Sequence, residues 1–90
     1  MTINEVMLRM SNTEKYDNAF IESFSITKDE LGNKLKYESI TEWDSIGHMG
    51  LIAALEDSFE ISMEMDDIID FSSYQKGKTI IEKYKIDFNI

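Results

Sequence analysis

The chain has 90 residues, 42% of them hydrophobic, which suffices for one domain with a modest core and leaves no room for a second. It has no cysteine, which excludes disulfides and thiolate metal sites. Its net charge of −9 argues against nucleic acid as a partner, because phosphates would repel it. No run approaches the ~18 apolar residues of a membrane span, and the N-terminus lacks the apolar region of a signal peptide.

The first predicted helix follows an N-terminal extension. We expect one domain over residues 1–90, monomeric and cytoplasmic, in which residues 1–10 form an extra turn, a continuation of the first helix or a frayed tail. That helix is predicted over Asn12–Phe24, because Ser11 and Glu14 have the spacing of a capping box. Its apolar face consists of residues spaced four apart: Tyr16, Phe20 and Phe24.

A long loop and the second helix come next. Residues 25–43 are rich in turn-forming residues but also contain large apolar side chains, so we expect the loop to be pinned onto the domain. The second helix is predicted over Ser45–Phe59, with Asp44 as its N-cap. It has two apolar edges: a core stripe of Leu51, Ile52, Leu55 and Phe59, and a shorter line of Ile46, Met49 and Ala53.

Two further helices complete the predicted fold. A short third helix is expected over Asp66–Phe71, after a linker in which Met63 and Met65 fill gaps in the core. Ser72 and Gln75 have the spacing of another capping box, which would start a last helix that runs to about Lys85. Since strand-like alternation is weak throughout, the sequence predicts an all-α bundle.

The charge is unevenly distributed along the chain. Residues 37–75 contain ten acids and no lysine or arginine. A field of one sign attracts partners with basic patches and speeds their encounter. The alternative is a solvated face that is acidic for solubility, and the acidic run taken alone would favour that alternative.

The segment Asp44-Ser45-Ile46-Gly47-His48-Met49 allows several chemical interpretations. Asp44, Ser45 and His48 are the residue types of a hydrolase triad, but nothing in the sequence indicates an oxyanion hole or a strained elbow. A single histidine without cysteines supplies no metal site. The plainest interpretation is a helix cap. A third interpretation is that Ser45 is the acceptor of a covalently attached group. A phosphate is favoured at the positive end of a helix dipole, and the enzyme that attaches the group can supply the base and the metal.

The residues WDSIGHMGLIAALEDSFEI, followed by DDIIDFSSYQ, resemble the acyl carrier proteins. The resemblance covers about residues 12–84 and is most specific at Asp44-Ser45-Ile46. It implies a small four-helix bundle of three main helices and a short third one, with no enzymatic activity of its own. It also implies that Ser45 carries 4′-phosphopantetheine, an arm that holds acyl groups as thioesters. A phosphopantetheinyl transferase (a holo-carrier synthase) would transfer this arm from coenzyme A to the serine.

The same resemblance implies which residues meet partner proteins. They are Asp44, Ile46, Met49, Glu56 and Asp57, and the partners are acyl-loading and acyl-transferring enzymes with basic docking patches. Trp43 stands where carriers of fatty acid biosynthesis usually have a small residue, which favours a specialised carrier. Gly47 and Gly50 stand where family members often have acids, which favours an unusual set of partners. Two alternatives stay open: a carrier of an aminoacyl group such as D-alanine, and an acidic helical interaction module without a prosthetic group.

Overall fold

Four α-helices and one short 3-10 turn form the regular structure of residues 10–89, the part of the chain that the computed structural model describes. The helices are α1 (Asn12–Phe24), α2 (Ser45–Phe59), α3 (Met65–Asp70) and α4 (Tyr74–Glu82), and the turn is Lys28–Glu30. The described residues contain no β-strand, only one isolated bridge. The all-α prediction is confirmed, and the predicted N-terminal extension lies, except for Met10, outside the described residues.

Helix α1 begins and ends where the sequence predicts. The Ser11 hydroxyl accepts a hydrogen bond from the Glu14 amide at 3.1 Å, and the Glu14 carboxylate accepts one from the Ser11 amide. Hydrogen bonding of the Glu14 carboxylate to the Ser11 backbone amide, and to the Ser11 side chain, lowers the pKa of Glu14. Ser25 ends the helix in the left-handed conformation, with φ of 54°. The predicted apolar face is buried, so local capping and the four-residue spacing together account for this element.

Helix α2 packs against α1 and contributes its own set of core residues. Its predicted core stripe is buried in full: Leu51, Ile52, Leu55 and Phe59. The Asp44 carboxylate caps its first turn by accepting the Gly47 amide at 2.8 Å. Glu60 ends the helix with φ of 54°. The bounds of α2 therefore agree with the prediction.

The long loop between α1 and α2 is fixed to the rest of the domain. Trp43 is fully buried, and Leu35 and Ile26 are also in the core. Two backbone hydrogen bonds of 2.9 Å connect the loop to the start of α4, from the Tyr37 amide to the Ser72 carbonyl and from the Tyr74 amide to the Leu35 carbonyl. The expectation of a pinned loop is confirmed.

The predicted start of α4 was wrong by one residue. Ser73, not Ser72, is the N-cap, and its hydroxyl accepts the Lys76 amide at 3.0 Å. The Ser72 carbonyl accepts the hydrogen bond from the Tyr37 amide of the long loop. The Gln75 side chain does not complete a capping box, because it donates a hydrogen bond to the Asn33 side chain. The choice between two adjacent serines thus depends on a contact with a distant loop.

The ends of α3 and α4 also differ from the predictions. Helix α3 covers Met65–Asp70, one residue earlier than predicted at both ends, and α4 ends at Glu82 instead of near Lys85. The Lys83 ammonium binds the Asp67 carboxylate at 2.6 Å, and the Tyr84 hydroxyl donates to the same carboxylate. These bonds hold α3 against the end of α4.

Candidate functional site

Ser45 is the first residue of α2, and its side chain is exposed to solvent. The Asp44 carboxylate beside it is engaged with the Gly47 amide, and the Asp44 carbonyl accepts the His48 amide at 2.8 Å. Among residues 10–89, no hydrogen bond involves the Ser45 hydroxyl. The fold therefore presents this hydroxyl to the solvent at the positive end of a helix.

Gly47 allows the chain to pass close to this first turn. A Cβ at this position would lie 1.9 Å from the carbonyl oxygen of Glu42, which is backbone and cannot swing aside. Gly47 is therefore a point of close backbone approach beside Ser45. At Gly50 a Cβ would meet nothing within 4 Å, so this second glycine of α2 is not required by packing.

Both ring nitrogens of His48 are occupied. The Trp43 indole Nε1 donates to Nδ1 at 3.0 Å, and Nε2 lies 2.8 Å from the Ile68 carbonyl oxygen. Because an indole N–H can only donate, Nδ1 must accept, so the proton is on Nε2 and is donated to Ile68. Neither nitrogen is left to take a proton from Ser45, which is a geometric argument against a serine–histidine pair.

The sequence did not reveal this role of His48. A buried tryptophan needs an acceptor for its indole N–H, and Trp43 precedes the single histidine by only five residues. That spacing is the one signal that was present. The bond to Ile68, however, joins residues 20 positions apart along the chain, and it connects α3 to the first turn of α2.

Exposed apolar side chains occur on both α2 and α3. Ile46 is 82% exposed and Met49 is 55% exposed, as expected for predicted partner contacts. Met65 and Ile69, at 69% and 70%, add a second pair on α3. The prediction that Met65 fills a core gap is wrong, although Met63 is buried as predicted. We refer to Ile46, Met49, Met65 and Ile69 as the exposed apolar residues; such groupings are typical of interaction sites.

The acids of residues 37–75 do not all face solvent freely. Asp57 is exposed, whereas Glu56 is half-buried and accepts the Met63 amide at 2.9 Å. Asp67 is only 7% exposed, and its hydrogen bonds from Lys83 and Tyr84 lower its pKa. The remaining acids of the α2–α3 region are exposed: Asp44, Asp57, Glu60, Glu64, Asp66 and Asp70. Exposed acids thus lie on the same segments of the chain as the exposed apolar residues.

A surface depression lies in the long loop, lined in part by Leu31, Leu35 and Ile40. None of the predicted site residues lines it. Residues 10–89 bring together no cluster of three or more metal-ligating side chains, and no helix among them has the length and apolarity to cross a membrane. The exposed serine and its surroundings therefore remain the candidate site.

Comparison with known proteins adds no family to this description. No family model, no curated protein and no solved structure matches the chain.

Proposed function

We propose that this protein is an acyl carrier protein with a carrier-type four-helix bundle, and that Ser45 is the attachment site of 4′-phosphopantetheine. The observation that carries the proposal is the solvent-exposed Ser45 hydroxyl, which begins α2 and makes no hydrogen bond within residues 10–89. The resemblance of the surrounding residues to acyl carrier proteins supports it. Such a serine needs only to be reachable, because the transferase supplies the base.

Loading converts the hydroxyl into a phosphodiester. The Ser45 oxygen attacks the phosphorus of coenzyme A that bears the pantetheine, a new P–O bond forms, and the bond to 3′,5′-adenosine bisphosphate breaks. The serine proton passes to a base on the transferase, and the bisphosphate leaves with the electrons of the broken bond. No base from this chain is required, which agrees with the engagement of both His48 nitrogens.

The residues around Ser45 fit the group that they would carry. The phosphate would lie at the N-terminus of the 15-residue helix α2, where the helix dipole favours negative charge. Asp44 adds a like charge beside it, but its carboxylate is bound to the Gly47 amide. When attached, the arm supplies a terminal thiol that holds an acyl group as a thioester. The chain's own part is to fix the first turn and present the hydroxyl.

The surface near Ser45 suits partner enzymes with basic patches. Ile46 and Met49 follow the serine on α2 and project into solvent. Asp44, Glu56 and Asp57 add negative charge on the same helix or its cap, and residues 37–75 contain no lysine or arginine. Charge of this kind raises encounter rates, while the apolar side chains contribute contact area once docked.

Intact-mass measurement tests the attachment. Incubation with coenzyme A and a transferase of broad specificity should add one phosphopantetheine group, and Ser45→Ala should abolish the gain. Ser72→Ala is the matched control, because Ser72 is also exposed and its described bond uses backbone atoms only; it should load normally. If several transferases fail on the folded wild-type protein, an acidic interaction module without a prosthetic group becomes the better description.

A further inference from the structure

The interior behind Ser45 is filled by aromatic rings. Trp43, two residues before the serine, is fully buried. Its ring stacks on Phe24 with a centroid distance of 5.2 Å and meets the edge of Phe20 at 5.5 Å. Phe20 in turn lies 6.2 Å from Phe71, which is also fully buried. Large side chains thus fill the core around Trp43, two residues before the attachment site.

His48 closes the route between α2 and α3. Its ring stacks on Trp43 at an interplanar angle of 13° and is hydrogen-bonded to both Trp43 and the Ile68 carbonyl. Tyr37 and Phe71 pack against it edge-on, with centroid distances of 5.8 Å and 6.2 Å. A chain tethered to Ser45 could enter the bundle here only by breaking both hydrogen bonds and separating these rings. The buried Trp43 indole N–H and the Ile68 carbonyl would then lose their hydrogen-bond partners.

From this closure we propose that the cargo of Ser45 stays outside the bundle, and that the protein carries short or polar acyl groups, of acetyl or aminoacyl type, instead of long alkyl chains. The inference rests on the carrier function proposed above. A long alkyl chain left in water exposes apolar surface that grows with each methylene. Ile46 and Met49 lie on the outside of α2, where they can touch an arm or a small cargo but cannot surround a long one.

A single-cysteine variant tests the closure without any transferase. The chain has no cysteine, so Ser45→Cys introduces a unique thiol that alkyl methanethiosulfonates convert to mixed disulfides bearing methyl, octyl or dodecyl chains. Ser62→Cys, at an exposed position in the α2–α3 linker, is the matched control. The readouts are the NMR resonance of the Trp43 indole N–H and the melting temperature.

We expect no dependence on chain length at position 45. The Trp43 indole resonance should be the same in the methyl and dodecyl adducts of Ser45→Cys. The difference in melting temperature between these two adducts should equal the difference between the corresponding adducts of Ser62→Cys. A length-dependent shift of the indole resonance, or a rise in melting temperature confined to position 45, would show that the chain enters the core and would overturn the inference. Failure of the carrier proposal would appear separately, as absent loading of Ser45 in the mass experiment.

Discussion

Two glycines of α2 provide a matched test of how the first turn beside Ser45 is built. A Cβ at Gly47 would lie 1.9 Å from the Glu42 carbonyl oxygen, whereas one at Gly50 would meet nothing within 4 Å. Even favourable carbon–oxygen contacts keep the two atoms ~3.3 Å apart. Gly47→Ala therefore forces the Glu42 peptide or the helix to move by roughly 1 Å or more, whereas Gly50→Ala requires no movement.

The two substitutions should change the free energy of unfolding in opposite directions. Replacing glycine by alanine inside a helix stabilises by about 0.5–1 kcal/mol, because less backbone entropy is lost on folding. At Gly50 this gain should appear in full. At Gly47 it is opposed by steric strain, which costs about 1–3 kcal/mol when packed groups must shift and should be near the upper end because the neighbour is backbone. We expect a net destabilisation of about 1–2 kcal/mol for Gly47→Ala.

Urea and thermal unfolding measure the difference, with the fluorescence of the single, fully buried Trp43 as the signal. In a domain of this size about 1 kcal/mol corresponds to a shift of about 4–8 °C in the melting temperature, so the two variants should lie on opposite sides of the wild type. Equal stabilisation by both alanines would refute the reasoning, since it would mean that the Glu42 carbonyl does not approach Gly47. The Gly50→Ala variant controls for helix propensity alone.

Three other substitutions test the surface charge, the core and the α3–α4 junction. Asp57→Lys should slow loading by enzymes with basic docking patches, whereas Glu22→Lys on the exposed part of α1 should not; equal loading rates for the two variants would count against docking through α2. Leu55→Ala should lower the free energy of unfolding by about 2–5 kcal/mol, because the side chain is fully buried, and an unchanged denaturation midpoint would contradict that burial. Hydrogen bonds from Lys83 and Tyr84 lower the pKa of the Asp67 carboxyl in the folded protein. The ionised carboxylate therefore stabilises the fold at pH values above its unfolded-state pKa, and this stabilisation is lost as the pH falls through the lower, folded-state pKa. Asp67→Asn should therefore be less stable than wild type at neutral pH, and the gap should narrow on acidification; a gap that is independent of pH would argue against the ion pair.

The two proposals assign separate roles to neighbouring residues. Ser45 would receive the proposed arm because it is exposed, whereas Trp43 and His48 would keep the cargo out of the interior. Partner enzymes would then meet a small cargo in solution at the exposed apolar residues and not extract it from a cavity. The same arrangement leaves no nitrogen of His48 free to accept a proton from the serine three residues earlier, because both nitrogens hold α2, α3 and the long loop together.

The elements that the sequence determined are those set by local interactions. Ser11 and Asp44 were identified as caps because each bond that they accept spans three residues. The bounds of α1 and α2 and the buried stripe of α2 follow from such caps and from helical spacing, as does the exposed line of Ile46 and Met49. These features can be predicted without the tertiary structure, because both partners of each interaction lie on the same short segment of the chain.

The remaining features depend on contacts between distant segments. Ser73 caps α4 instead of Ser72 because the long loop holds the Ser72 carbonyl. Asp67 is withdrawn from the acidic surface by Lys83, 16 residues away. His48 joins two helices only because Ile68 folds back onto it. A one-dimensional pattern shows which residues can be buried or paired, but it does not show which distant partner each one meets. Tertiary packing makes that choice because it alone sets the distances on which hydrogen bonds and close contacts depend.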